Sequence, residues 1–115
     1  MISRLFALCC LSAMTVSASG QDVMVVYRAS ELLSICESSA TSDIARCQGF
    51  VIGVTDTLSD PDMSKVPICF PKGVNVNQMV AIVTKFMRDN PAHLHVSAAA
   101  TTAIALRLSF PCKTR

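Results

Sequence analysis

The chain has 115 residues, a formal net charge of +2, 51% hydrophobic and 16% charged residues, and no tryptophan. That is the length of one domain. Its lysines and arginines gather into no stripe, which sets nucleic-acid binding aside. Past the N-terminus nothing is apolar for the roughly 20 residues a bilayer requires. Residues 96–110 come closest, but they are short and contain Arg107.

The N-terminus reads as a secretory signal peptide. Arg4 supplies the positive charge, residues 5–11 are wholly apolar, and Ser17-Ala18-Ser19-Gly20 supplies small residues before polar Gln21-Asp22. Cleavage after Gly20 is expected, with Ala18 as the other position, so that residues 1–20 are signal and residues 21–115 the mature domain. Cys9 and Cys10 lack the small preceding residues of a lipidation site and read as apolar filler. Without Arg4, nine basic and eight acidic side chains remain.

The expected fold is all-α, a small four-helix domain with two disulfides. Residues 23–27 are β-prone and suit an extended arm. Helix one is expected from Ser30, as cap, with Leu32, Leu33 and Cys36 on its apolar face. After a polar turn, helix two is expected with Ser42 as cap and Asp43 in its first turn, where a negative charge suits the dipole. Ile44, Cys47, Val51, Val54 and Leu58 recur at spacings of three and four and predict one buried stripe. Gly49 and Gly53 lie beside it. Glycine weakens a helix, so the pair predicts a second backbone packed close by.

Residues 59–73 hold three prolines and read as a structured loop. Helix three has strong start signals: Asn75 as cap, Gln78 reaching back to complete a capping box, and Val74 placed to touch Met79. Val83, Phe86 and Met87 continue its apolar face, and Asp89-Asn90-Pro91 ends it. Helix four is expected over residues 97–109, with Ala100, Ile104 and Leu108 on its apolar side, before Phe110-Pro111-Cys112 closes the fold.

The mature chain keeps four cysteines, Cys36, Cys47, Cys69 and Cys112, an even number that points to disulfides formed in an oxidising compartment. None forms the Cys-x-x-Cys pair of a zinc site. Short connections make successive helices antiparallel neighbours. The end of helix one then meets the start of helix two, and the start of three meets the end of four. The expected pairs are Cys36–Cys47 and Cys69–Cys112.

Chemistry beyond packing is sparse. Asp60-x-Asp62-x-Ser64 mimics the start of a calcium loop, but Lys65 stands where glycine is needed and Pro71 where glutamate is needed. His93 and His95 have no third metal ligand and read as solvated turn residues. No activated nucleophile, paired base or carboxylate pair stands out, so no catalytic residue, metal or cofactor is assigned and no enzyme is expected. Residues 59–66 are the best contact surface, with Asp60, Asp62, Met63 and Lys65 supplying charge and a soft apolar tip. Asp56 either bonds local backbone or faces a partner.

The landmarks in combination resemble a known family. They are Leu32-Leu33-x-x-Cys36, Cys47-Gln48-Gly49-Phe50-Val51-x-Gly53-Val54-x-Asp56, Cys69-Phe70-Pro71-x-Gly73-Val74, Gln78-Met79, Ala105-Leu106 and Phe110-Pro111-Cys112. This pattern is similar to the Rap/Tai-type immunity proteins, which protect bacteria from type VI secretion amidase effectors. Asn75 stands where that family often shows threonine and keeps the capping role. The resemblance implies a periplasmic, all-helical, non-catalytic protein that binds a peptidoglycan amidase effector and blocks its cleft. It also implies homodimers. A small periplasmic chaperone of the acid-stress kind, or a carrier with an apolar cavity between its helices, are the alternatives that size, helices and disulfides leave open.

Overall fold

The computed structural model describes Gly20 and residues 24–113. The expected signal peptide and its cleavage site lie outside the described residues, apart from exposed Gly20. Four α-helices follow one another: α1 over Ala29–Glu37, α2 over Thr41–Ser59, α3 over Val76–Asp89 and α4 over Ala98–Ser109, with a 3₁₀ turn at Pro91–His93. Among the described residues there is no strand, only isolated bridges between Arg28 and Ser97 and between Ile68 and Pro111. Each α-helix touches the other three. The all-α, four-helix expectation holds.

The core forms where they meet. Ala29 and Leu32 come from α1, Val51 and Leu58 from α2, Val83 and Met87 from α3, and Ala98, Ala105 and Leu106 from α4, with Ile68 from the long loop. Burying a side chain the size of Leu106 or Met87 contributes about 1.5–3 kcal/mol. Both expected disulfides are present, Cys36–Cys47 across eleven residues and Cys69–Cys112 across 43. One fastens the α1–α2 hairpin; the other fastens the loop before α3 to the segment after α4.

Local chemistry explains most helix ends. Asn75 accepts from the Gln78 backbone N–H at 3.0 Å while the Gln78 side chain accepts from the Asn75 N–H at 2.9 Å, so the predicted capping box starts α3. Arg88 of α3 pairs with Glu37 at the end of α1. Two other starts differ from expectation. Ser30 is an exposed residue inside α1, not its cap. The first amides of α1 are satisfied from afar: Ala29 donates to the Val96 carbonyl at 2.9 Å and Ser30 to the Leu94 carbonyl at 3.0 Å. The Arg28 N–H is taken by Glu31 at 2.7 Å. Likewise Ser42 lies within α2, whose N-cap is Ala40 without a side-chain cap. The Ala40 carbonyl already accepts from both Asp43 and Ile44, so the helix begins before the serine. Asp43 does occupy the first turn, where it pairs with Arg46 at 3.1 Å.

Helical faces also depart from the pattern in two places. On α2 the buried set is Cys47, Val51, Thr55 and Leu58, whereas Ile44 is exposed. Thr55 fits the stripe because its hydroxyl donates to the Val51 carbonyl at 2.7 Å, leaving its methyl to pack. On α4 the buried set is Ala98, Thr101, Thr102, Ala105 and Leu106. The predicted face was turned toward solvent instead: Ala100 is exposed, Leu108 is 68% exposed and Ile104 only half-buried. His93 is half-buried rather than solvated, its ring 5.6 Å from that of Phe86; His95 is exposed.

Candidate partner-docking surface

The long loop leaves α2 in a compact turn. The Asp60 N–H bonds the Asp56 carbonyl at 3.2 Å, closing the helix. The Asp60 side chain then accepts from the Asp62 N–H at 2.8 Å, and its carbonyl accepts from Met63 and Ser64. This is the self-bonding turn that aspartate favours. Ser64 turns inward and is buried, while Met63 is 68% and Val66 55% exposed on either side. Lys65 is exposed as well. Beyond it, the Cys69 N–H donates to the Phe110 carbonyl at 3.0 Å and the disulfide fixes Cys69 to Cys112.

The loop is also held from α4. The Arg107 guanidinium donates to the Val66 carbonyl and to the Ser64 hydroxyl, both at 3.3 Å. Ser64 in turn donates to the Val66 carbonyl at 2.9 Å. The five residues singled out in the sequence therefore fall in one stretch: Asp56 exposed in the last turns of α2, then Asp60, Asp62, Met63 and Lys65 exposed on the turn. Asp56, Asp60 and Asp62 join none of the ion pairs among the described residues, which are Arg46–Asp43, Lys85–Asp89 and Arg88–Glu37. The stretch thus presents carboxylates and an exposed methionine together. Sequence reasoning placed Ser64 and Val66 in the contact loop without a role of their own and missed Arg107. The available signal was Arg107 itself, a charge in an otherwise apolar, alanine-rich helix.

A second feature lies between α2 and α4. An open apolar groove of about 470 Å³ is lined by Gly49, Phe50, Gly53, Val54, Thr57, Leu58, Ala99 and Ala103. The close-packed backbone expected beside the glycines is absent: a Cβ added at Gly49 or Gly53 would meet nothing within 4 Å. Here the glycines leave open space instead of admitting another segment of the chain.

Near the N-terminal arm, Arg46 donates to the Tyr27 hydroxyl at 2.8 Å. That hydrogen bond, with charge interactions from Tyr27 and Asp43, raises the Arg46 guanidinium above its ordinary pKa. Among the described residues no cluster of three histidine, cysteine or acidic side chains could hold a metal, and no helix is long and apolar enough to cross a membrane.

Residues 28–112 match the profile of the Rap1a immunity proteins. The chain belongs to the Rap1a immunity protein family. The match starts at the Arg28–Ser97 bridge and ends at the second cysteine of the C-terminal crosslink, so it spans all four helices. Rap1a is a type VI secretion immunity family, and such proteins act by binding a partner effector protein. No curated protein and no solved structure matches the chain.

Proposed function

We propose that this Rap1a protein is exported to the periplasm and there binds and inhibits a type VI cell-wall amidase effector, through the surface formed by Asp56, Asp60, Asp62, Met63 and Lys65. The observation that carries the reading is the ordered, outward-facing turn on a family member whose business is protein binding. A loop fixed on a rigid scaffold loses little entropy on docking. Its unpaired carboxylates favour a basic partner surface, and Met63 supplies an adaptable apolar contact. Two disulfides support an oxidising compartment. Homodimerisation belongs to the same reading and is measured by sedimentation.

The test is direct. The purified oxidised protein, added at equal concentration, should abolish peptidoglycan cleavage by a type VI amidase effector, and Met63→Asp should restore cleavage. Cleavage unaffected by excess protein across the amidase classes would overturn the proposal. A second reading, a small chaperone or carrier, draws on the apolar groove between α2 and α4. It requires an apolar dye or an unfolded client to bind there and to be displaced by Gly53→Leu.

A further inference from the structure

We propose that Arg107 is the positioning residue of the docking turn, holding Ser64 and Val66 from α4 so that Met63 and the Asp60 and Asp62 carboxylates are presented in one arrangement before a partner arrives. This rests on reading residues 56–66 as the contact surface.

Three observations carry it. First, among the described residues, Arg107 makes the only hydrogen bonds between residues 61–67 and another helix. Upstream the turn bonds only to itself and to the end of α2; downstream the anchor begins with the Ile68–Pro111 bridge. Second, Ser64 is the inward residue of a stretch whose neighbours Met63, Lys65 and Val66 are exposed. Its hydroxyl accepts from Arg107 and donates to Val66, so one guanidinium fixes two points of the loop. A planar guanidinium can do this with two donors at once, whereas an ammonium is a single mobile point charge. Third, the acceptors are a hydroxyl and a carbonyl. Arg107 forms no ion pair among the described residues, so it orders the loop without neutralising Asp60 or Asp62.

Arg107 also explains itself poorly any other way. It is the only basic residue in the last turn of α4, and its neighbour Leu106 is fully buried. A basic residue there suits the helix dipole, but lysine would serve the dipole equally well. That difference makes Arg107→Lys the informative variant.

The experiment uses the full oxidised chain with Arg107→Lys, Ser64→Ala and Met63→Asp, a purified type VI cell-wall amidase as probe, and hydrogen exchange on the free proteins. Arg107→Lys and Ser64→Ala should speed exchange across residues 62–66 and leave the helices protected. They should leave the melting temperature within a few degrees of wild type, and weaken amidase binding about tenfold. A purely structural role would move the melting temperature and not binding. Unchanged exchange at residues 62–66 in both variants overturns the proposal. So does wild-type binding by Arg107→Lys while Met63→Asp binds weakly; the docking reading then stands alone. If Met63→Asp also binds like wild type, or no amidase binds the wild-type chain, the docking reading falls and the positioning role with it.

Discussion

Two adjacent threonines show how much a single hydroxyl decides. Thr101 and Thr102 are both fully buried on α4. The Thr101 hydroxyl reaches the Ser97 carbonyl at 3.1 Å and the His93 carbonyl at 3.4 Å, whereas the Thr102 hydroxyl has no partner among the described residues. A buried hydroxyl left unpaired costs about 1–3 kcal/mol. Thr102→Val should therefore be neutral or stabilising by about 1 kcal/mol, and Thr101→Val destabilising by a similar amount; urea unfolding of the two variants measures the contrast. Gly49 and Gly53 give a second test. Each sits inside α2 with open space around its missing Cβ. Gly49→Ala and Gly53→Ala should each stabilise by up to about 1 kcal/mol, visible as a raised thermal midpoint. A lowered midpoint would mean that the groove is filled in the folded protein. Their presence in a helix was legible in the sequence. That they face a groove was not, because spacing alone does not say whether a small residue admits a neighbour or leaves a gap.

Helix boundaries and faces were legible where the signal is local. Asn75 and Gln78 bond each other three positions apart in the chain, and their pattern predicted the start of α3. Asn75→Ala should cost about 1 kcal/mol. Ser42→Ala should cost nothing, since Ser42 lies past the start of α2; the pair of midpoints checks both. The start of α1 was hidden because its amides are completed by Val96 and Leu94, partners distant in sequence. The face of α4 was misread for another reason. Alanine and threonine dominate that helix, so its sides differ little in polarity, and a threonine such as Thr101, its hydroxyl turned back to the preceding turn, passes as apolar. The exposed turn was singled out from its composition as a contact surface, but the side chain that holds it from α4 was not foreseen. Nothing in the spacing of Ser64 and Arg107 announces a contact across 43 residues.

At the scale of the whole molecule, hairpin geometry predicted both crosslinks, because each joins helix ends that short connections bring together. They should not contribute equally. In the chain-entropy account the closed loop of eleven residues is worth about 3 kcal/mol and that of 43 about 4 kcal/mol. Replacing Cys69 and Cys112 with serine should thus lower stability more than replacing Cys36 and Cys47, as denaturant midpoints would show. It should also loosen the turn at residues 60–66, which the longer crosslink anchors on its downstream side.

The bridge between Arg28 and Ser97 bears on how such a chain is made. The first amides of α1 meet their native partners, the Leu94 and Val96 carbonyls, only after most of the chain has been made. The α1–α2 hairpin and its Cys36–Cys47 crosslink can close early, but the N-terminal end of α1 takes its native place only when the start of α4 arrives.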